Sequence, residues 1–457
     1  MRQALDPVHT ELPSGGGQLP GGDAACSRTP WRSVVKLRLP LFAAATALAL
    51  VTACTPGTGG GGGGEGDGKS FEFWSFSAIN QKLTVDAYQA KHPDIQIKLT
   101  EVGTSTETAQ SLTTALAGGK VPDLVLIQGD NLPQFVEQPQ NFVDLRTLGA
   151  DDVKGDYLDW VWEQSVAKDG EVLGVPTDVG GMAVAYRTDL FAAAGLPTDR
   201  ESVSALWPTW DAFIETGKRY KQATGKAFTD NAATSVFYQA VNQVSEKYYS
   251  ADRKLVYSTN PQVKTAFELG IKAATAGITA GQSSFESAWS AGMAQGQYAA
   301  VSAPSWMLNS IRSTAPDTKG KWDIAKIPGS GGNWGGSYLA IPKRAKNPQA
   351  AWNYIKEMQS PAGQLEHFTR VGALPSTPSV YKDAKLTDAK DSFFSDAPTG
   401  KIYTDSLLAL KPFYIGPDSA AIGQEFLNAI TNVEQSGGNP ATAWDDAVRN
   451  IKTAIGE

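Results

Sequence analysis

The sequence predicts an α/β protein of two lobes, each built on an open, mostly parallel β-sheet flanked by helices. Strand and helix patterns alternate from residue 71 onward, which is the order that produces a parallel sheet. The apolar run at residues 124–127 suits a strand that is buried on both faces. A second alternation of strand and helix begins after residue 181, and a chain of 457 residues is long enough for two domains with sizeable cores.

The first lobe is predicted from consecutive segments that lead to this buried strand. Residues 71–76 alternate apolar and polar side chains, which is typical of a half-buried strand. Apolar residues at helical spacing follow, until Pro93 ends the helix. Residues 95–99 predict the next strand, and Thr104 can cap a second helix that ends at Gly119. In open α/β sheets ligands bind beyond the carboxyl ends of the strands.

The second lobe is predicted to begin at a pair of glycines. Gly180 and Gly181 permit backbone torsions that other residues resist, so the chain can cross between lobes there. Residues 182–186 then predict a strand, and residues 210–224 predict a helix.

The N-terminal part of the chain carries a predicted secretion signal. An apolar run over residues 39–54 follows three basic residues and ends at Cys54. The run is too short to cross a bilayer comfortably, because a spanning helix needs roughly 20 apolar residues. The small residues before Cys54 resemble the lipobox of bacterial lipoproteins, in which the cysteine carries diacylglycerol and becomes the first residue of the mature protein. The alternative is a short buried helix that ends at a cysteine.

The segments on either side of this signal are not predicted to fold. Residues 1–30 are rich in Pro and Gly and lack apolar periodicity, so we expect translation to begin near Val34 or Val35. Residues 54–69 form a glycine-rich tether. Residues 63–70 match the phosphate-binding P-loop pattern. Because a tether precedes them and a strand is predicted to follow, we do not predict a nucleotide site there.

Composition argues against several classes of function. The chain has 47 acidic and 40 basic residues, a formal net charge of −7, which argues against a nucleic-acid partner. Cys26 and Cys54 are its only cysteines, so no disulfide is predicted after the signal. Three histidines are too few for a His-rich metal site, and we predict no metal or other cofactor. The twelve tryptophans include candidates for stacking on sugar rings.

Several segments, in order along the chain, resemble the bacterial extracellular solute-binding proteins, specifically family 1, which serves carbohydrate ABC transporters. They cover nearly all of the chain after Cys54. The matching segments are FEFW, YQAKHPDIQIKL, ALAGGKVPDLVLIQGDN, GEVLGVPTDVGGMAVAYRTDLFAAAGL, PTWDAFIETGKRY, SAWSAGMAQGQYAAVSAPSW, GNWGGSYLAIPKRAKNPQAAWNYIKEMQSPAGQ and TRVGALPS. One departure is Arg187, where the family usually has Asn.

The resemblance implies a periplasmic-binding-protein-like fold with hinge crossovers, the second near residues 335–341. It places a helix over residues 348–359 on the first lobe and helices over 420–433 and 441–455 on the second. The implied division of the chain is an N-terminal extension with signal peptide over 1–53, the tether over 54–69, a first lobe over 70–179 and 340–395, and a second lobe over 180–339 and 396–457.

The resemblance also implies a function. The expected ligand is a sugar, more specifically an oligosaccharide, and the expected partners are ABC permease subunits with a cytoplasmic ATPase. The protein is expected to be a monomer that is secreted and anchored by lipid at Cys54 to the outer face of the cytoplasmic membrane. No enzymatic activity is expected.

Candidate ligand-binding residues lie at strand ends and in glycine-rich loops. Polar side chains there can hold vicinal sugar hydroxyls, and small neighbours let a ligand approach a tryptophan. The candidates are Trp74, Ser75, Phe76, Asn80, Gln128, Asp130, Asn131, Asp178, Trp306, Trp334, Gly335, Ser337 and Arg370. The alternatives are a core position for the aromatics of the first strand, a turn position for Asp178 and a surface ion pair for Arg370. Core packing is expected for Trp289 and Trp322.

Two other functions remain open at this point. A secreted glycoside hydrolase would also need a tryptophan-lined cleft, with two carboxylates roughly 5 to 9 Å apart. Only Asp130 and Asp178 are strong candidates for such a pair. A binding protein for a non-sugar solute is the other alternative. No G-x-S-x-G motif of a serine hydrolase is present, and the prediction is a binding protein.

Overall fold

The computed structural model describes residues 68–77 and 79–457. The predicted signal peptide, the predicted lipidation site Cys54 and most of the predicted tether lie outside the described residues. Among the described residues, none of the helices combines the length and the apolar character that a membrane span requires.

The strands of the described residues form two separate sheets, one for each predicted α/β half. They are β1 Ser70–Ser75, β2 Gln96–Glu101, β3 Leu124–Gln128, β4 Gly174–Pro176, β5 Met182–Arg187, β6 Ala227–Thr229, β7 Tyr298–Pro304, β8 Trp322–Lys326 and β9 Ser337–Ala340. The first sheet has the order β2-β1-β3-β9-β4, and the second has the order β6-β7-β5-β8.

Both sheets are mostly parallel, as predicted, and each contains one strand that runs in the opposite direction. In the first sheet β1 runs parallel to β2 and β3, whereas β9 is antiparallel to β3 and β4. In the second sheet β6 and β7 are parallel, whereas β5 is antiparallel to β7 and β8. The reason lies in the connections. Strand β9 returns from the other lobe and enters the first sheet beside the carboxyl end of β3, so it must run in the opposite direction.

The helices pack against these sheets. The α-helices are α1 Gln81–Lys91, α2 Ser105–Gly118, α3 Leu132–Val136, α4 Asp159–Glu163, α5 Thr188–Ala193, α6 Arg200–Leu206, α7 Trp210–Thr224, α8 Gln239–Val241, α9 Pro261–Thr275, α10 Ser287–Gln295, α11 Met307–Thr314, α12 Pro348–Met358, α13 Pro361–Val371, α14 Ala384–Thr387, α15 Thr399–Leu408, α16 Ser419–Ser436 and α17 Ala443–Ile455. A π-helix, Ala233–Tyr238, precedes α8. Short 3-10 helices occupy Pro139–Asn141, Leu145–Leu148, Ala150–Asp152, Lys154–Asp156, Pro316–Thr318, Pro378–Lys382 and Ser392–Phe394.

The local signals of the sequence explain where α2 begins and ends. The Thr104 hydroxyl accepts a hydrogen bond from the Glu107 backbone N–H (3.2 Å), and the Glu107 carboxylate accepts one from the Thr104 N–H (2.7 Å). This reciprocal pair is a capping box. At the other end Gly119 adopts a φ of 82°, the left-handed conformation expected after a helix.

Each lobe has its own apolar core. In the first lobe Phe73 and Leu124 pack with Leu339 of β9 and Trp352 of α12. In the second lobe Ile422, Phe426 and Ile430 of α16 belong to the same buried cluster as Val184 of β5, together with Ile451 of α17. Helices α16 and α17 therefore belong to the second lobe. The residue limits of the two lobes stay predictions.

Two crossovers connect the sheets and contact each other. The first lies between β4 and β5, over residues 177–181, and the second lies between β8 and β9, over residues 327–336. The expected return at 335–341 is thus too late in the chain, because the apolar segment Ser337–Ala340 pairs with β3 and β4. The Trp334 N–H donates to the Gly180 carbonyl (2.8 Å), and the Gly180 N–H donates to Asn333 Oδ1 (2.7 Å). The first and second crossovers are therefore hydrogen-bonded to each other.

Gly180 leaves no room for a side chain at this contact, which gives a testable prediction. A Cβ atom at Gly180 would lie 1.8 Å from the Trp334 carbonyl oxygen, so Gly180→Ala must push the crossovers apart. We expect a loss of unfolding free energy of about 1 to 3 kcal/mol in denaturant titration. The matched control is Gly155→Ala, because a Cβ there meets nothing within 4 Å. Equal stability of the two variants would contradict the assignment of this contact.

Candidate functional site

A polar loop follows β3 at its carboxyl end. The side-chain oxygen of Gln128 accepts hydrogen bonds from the Asp130 backbone N–H (3.1 Å) and from the Asn131 amide (3.4 Å). The Gln128 amide in turn donates to Asp130 Oδ2 (3.2 Å). These bonds hold the Asp130 carboxylate just beyond the carboxyl end of β3. Ligands bind beyond the carboxyl ends of the strands in open α/β sheets.

A hydrogen bond from the second lobe reaches this carboxylate. The Tyr238 hydroxyl donates to Asp130 Oδ2 at 2.7 Å. Tyr238 is the last residue of the π-helix Ala233–Tyr238, a rare conformation that is frequent at functional sites. Burial, followed by the charge of Asp130, raises the pKa of Tyr238 well above its usual value, so the phenol keeps its proton and remains a donor.

Aromatic rings gather beside this hydrogen bond. We call Tyr238, Phe285, Trp306 and Trp334 the aromatic cluster. The Trp334 ring centroid lies 5.8 Å from that of Trp306 and 5.3 Å from that of Tyr238, and Phe285 lies 6.0 Å from Trp306 with its plane tilted by 28°. The Trp306 N–H donates to the Trp334 carbonyl at 2.9 Å, which fixes the orientation of its indole.

Phe285 is the exposed member of the aromatic cluster. Its side chain is 44% exposed, and its φ is +72°, a conformation that is uncommon for a bulky residue. Its ring packs at 5.2 Å against Trp289, a buried tryptophan whose N–H donates to Asp230 (2.8 Å). Trp289 and Trp322 lie in the core, as expected.

A small cavity lies between Trp306 and the first lobe. Its walls include Thr84 of α1, Thr177 and Asp178 of the first crossover, and His367 of α13. Its volume is about 40 Å³, which is room for only a few water molecules at roughly 10 to 15 Å³ each. The Thr84 hydroxyl and His367 Nδ1 form a hydrogen bond of 3.1 Å within this wall.

Burial changes the protonation of two groups in the cavity wall. It raises the pKa of Asp178 to about 6, although hydrogen bonds from the Thr177 hydroxyl (2.6 Å) and the Ser337 backbone oppose this change. It lowers the pKa of His367 to about 4, and the nearby Arg370 cation adds to the effect. At neutral pH the imidazole is therefore uncharged, and the carboxyl group of Asp178 is ionised.

The structure brings together part of the predicted residue set. Gln128, Asp130, Trp306 and Trp334 surround the contact between the lobes, as described above. Gly335 has a φ of +95°, and a Cβ atom there would lie 3.1 Å from the Trp306 indole nitrogen. Asp178 and Ser337 line the small cavity together with Trp306.

Other predicted residues lie elsewhere. Ser75 is fully buried, because it shares the inward face of β1 with Phe71 and Phe73, and its hydroxyl donates to the Phe76 carbonyl. Phe76 lies in the first-lobe core. The indole N–H of Trp74 donates to the carboxylate of Glu72 (3.1 Å), which lies two residues earlier on the same strand.

The remaining three predicted residues are Asn80, Asn131 and Arg370. Asn80 is exposed, with a left-handed backbone before α1, and Asn131 is buried under the loop that it helps to form. Arg370 is exposed and pairs with Glu366 one turn earlier on α13 (2.6 Å), which is the surface ion pair given as its alternative.

Three residues of the site were not predicted. Tyr238 lies in an apolar helical segment, SVFYQAV, whose pattern does not distinguish it from core. His367 lies within a helix, and only tertiary packing places it beside Thr84. Phe285 had a usable signal, since it is a single aromatic residue within the polar loop QSSFES.

Comparisons with known proteins identify a matching family and several proteins of similar sequence. A family model described as bacterial extracellular solute-binding protein matches residues 84–394. The lactose-binding protein of Rhizobium radiobacter is 25% identical over 355 residues, which are 73% of this chain and 80% of that protein. The arabinooligosaccharide-binding protein of Bacillus subtilis is 25% identical over 372 residues, 76% of this chain and 83% of that protein.

Solved structures give the same result for the fold. A crystal structure described as extracellular solute-binding protein family 1 is 32% identical, with a TM-score of 0.73, over 84% of this chain and 99% of that one. The ABC transporter associated binding protein of B. animalis subsp. lactis in complex with β-1,6-galactobiose is 21% identical, with a TM-score of 0.74, over 85% and 97%. These similarities confirm the predicted two-lobed α/β fold.

The raised pKa of Asp178 gives a prediction about stability and pH. The folded protein keeps this proton up to about pH 6, whereas an unfolded aspartate loses it near its ordinary pKa of 3.8. Stability is therefore lost as pH rises between these values. Asp178→Asn keeps the acceptor for Thr177 and removes the charge. Relative to the parent, we expect its unfolding free energy to rise between pH 4 and 7, by up to about 3 kcal/mol.

The control for this prediction is Asp189→Asn, for which the opposite sign is expected. Asp189 pairs with Arg187 at 2.7 Å, and this partner lowers the pKa of Asp189 although partial burial opposes it. Its loss should therefore cost more stability at neutral than at acid pH. Parallel pH profiles of the two variants in denaturant titrations would contradict the proposed state of Asp178.

Proposed function

This chain belongs to the bacterial extracellular solute-binding protein family, and we propose that it is the substrate-binding component of an ABC importer that holds an oligosaccharide between its two lobes and delivers it to a membrane permease. The observation that carries the proposal is the aromatic cluster beside the Asp130 carboxylate, at the place where the lobes meet. The sugar-binding relatives support the choice of ligand.

The chemistry of this place suits a sugar. The C–H face of a pyranose can lie on the indoles of Trp306 and Trp334, while hydroxyl groups exchange hydrogen bonds with Gln128 and Asp130. Asp178, Gly335 and Ser337 complete the proposed site, because they adjoin Trp306 in the structure. Tyr238 and Phe285 are added to it as members of the aromatic cluster.

The proposed mechanism is closure of the lobes around the ligand. The cavity beside Trp306 is much smaller than a sugar ring, so binding there requires the lobes to separate and close again. The Tyr238–Asp130 hydrogen bond joins the two lobes, so a separation of the lobes would break it. A ligand that touches both lobes has more contacts when they are closed, and this difference shifts the population toward closure.

A hydrolase is the second candidate, and the contacts of its two possible carboxylates count against it. Asp130 already accepts hydrogen bonds from Tyr238 and Gln128, which suits a fixed acceptor of ligand hydroxyls. Asp178 accepts one from Thr177. The curated relatives are binding proteins. We therefore propose that the ligand is released chemically unchanged, so chromatography after long incubation should return the same sugar.

The proposed sugar-binding site can be tested by calorimetry, which measures the Kd of the parent and its variants for lactose, β-1,6-galactobiose and arabino-oligosaccharides. Trp306→Ala removes a proposed stacking surface and should cost about 2 kcal/mol, a roughly thirtyfold weaker Kd. Trp444→Ala is the control, because Trp444 packs on Phe267 and Phe426 within the second-lobe core. If Trp306→Ala binds as tightly as the parent, the sugar lies elsewhere; if the parent binds none of these sugars, the proposed ligand class is wrong.

We also propose that Cys54 carries the lipid anchor that keeps the protein near its permease. The support is the sequence alone, since Cys54 lies outside the described residues. Cys54→Ala should leave unprocessed precursor or release the protein from membranes, as a fractionation with an immunoblot would measure. A correctly cleaved Cys54→Ala protein that stays on the membrane would contradict this proposal, and Cys26→Ala is the control that should change nothing.

A further inference from the structure

A groove larger than the cavity runs between the lobes near the Tyr238–Asp130 contact. Its volume is about 550 Å³. The first lobe contributes α3, which follows Asp130 in the chain, and Trp160 of α4. The second lobe contributes residues 245–253 and residues 412–415, including Tyr249, Phe413 and Tyr414. The groove therefore has aromatic side chains from both lobes in its walls.

Lys247 lies next to Phe413, one of the residues in the wall of this groove. Lys247 itself is only 6% exposed. Its ammonium nitrogen lies over three aromatic rings, 5.1 Å from the centroid of Tyr238, 4.9 Å from that of Tyr248 and 5.8 Å from that of Phe413. Phe413 is also part of the groove wall, and Tyr238 belongs to the aromatic cluster. Lys247 is thus adjacent to the groove wall and to the aromatic cluster.

The ammonium group of Lys247 has no hydrogen-bond acceptor and no ion-pair partner among the described residues. An isolated buried charge costs several kcal/mol, and cation–π contacts typically return only about 0.5 to 2 kcal/mol. Burial lowers the pKa of Lys247, and the Asp130 charge opposes this change only in part. The three N–H donors of Lys247 therefore have no protein acceptor within the described part of the chain, which leaves them available to a ligand.

Most of the charged groups of the groove are in ion pairs, which favours a neutral ligand. Lys168 pairs with Glu137 at 3.0 Å, and Glu163 pairs with Lys154 at 3.0 Å. The guanidinium of Arg253 lies over Tyr414 at 5.0 Å. A ligand with its own negative charge would find Lys247 but also the Asp130 carboxylate next to Tyr238. Hydroxyl oxygens accept from an ammonium and donate to a carboxylate, so they suit both groups.

We propose that Lys247 is a ligand-binding residue whose ammonium donates hydrogen bonds to oxygen atoms of a neutral oligosaccharide, which extends from the aromatic cluster into the groove. This inference rests on the proposed function and specifies which side chain receives the part of the sugar beyond Trp306 and Trp334. Lys247 and Asp130 then bind the same stretch of sugar from opposite lobes.

Lys247→Met tests the proposal, because methionine keeps the length and the apolar stem and removes the charge. Calorimetry with lactose, β-1,6-galactobiose and arabino-oligosaccharides should give a Kd weaker by about tenfold or more, as expected for the loss of a charged hydrogen bond. The melting temperature without sugar should stay equal or rise, since a buried unpaired charge is removed. The matched control is Lys264→Met, which removes an exposed lysine over Trp444, 5.9 Å from the ring centroid.

Each outcome decides between the possibilities. Weaker binding by Lys247→Met with an unchanged or raised melting temperature supports the proposal. Binding equal to that of the parent overturns it and leaves the sugar-binding function intact. A lower melting temperature together with weaker binding shows that Lys247 is structural and also overturns the proposal. If the parent binds none of these sugars, the proposed function fails, and the role of Lys247 fails with it.

Discussion

The contact between the two crossovers is the constraint on which the rest of the structure depends. The Trp334 N–H donates to the Gly180 carbonyl, and the space between them excludes even a methyl group at Gly180. The same stretch of backbone accepts the indole N–H of Trp306 at the Trp334 carbonyl. The connection between the lobes and the orientation of the two tryptophans are therefore coupled through the Trp334 backbone. A change in the crossovers must change the aromatic cluster.

The two lobes contribute different chemistry to their contact. Tyr238, Phe285 and Trp306 all come from the segment that builds the second sheet, and Trp334 comes from the crossover that leaves it. The first lobe contributes the polar loop around Asp130, which Gln128 holds in place. The burial of apolar surface is favourable in many orientations, whereas a hydrogen bond requires a defined distance and angle. Under the proposed function, the second lobe supplies the stacking surface, and the Asp130 loop fixes the sugar's orientation.

The sequence predicted those parts of the fold that depend on local signals. Thr104 and Gly119 mark the ends of α2, and the helix at residues 210–224 has the expected bounds. The direction of β9 was not predictable, because no local residue records which side of a sheet a returning strand enters. Among the site residues, Asp130 could be predicted as a candidate because it directly follows a buried strand in the sequence. Lys247 was missed, because its importance comes from three rings that are distant in the sequence.

Phe285 shows how the second lobe maintains an exposed aromatic surface. Its positive φ is a conformation that costs of the order of 1 to 3 kcal/mol for such a residue. The ring contacts of Phe285 with Trp289 and Trp306 oppose this cost, and Trp289 is itself fixed by its hydrogen bond to the buried Asp230. A buried carboxylate in the second-lobe core thus supports an exposed ring at the lobe contact. Because Trp289, Trp306 and Asp230 all belong to the second lobe, this support holds the Phe285 ring in place without any contact from the first lobe.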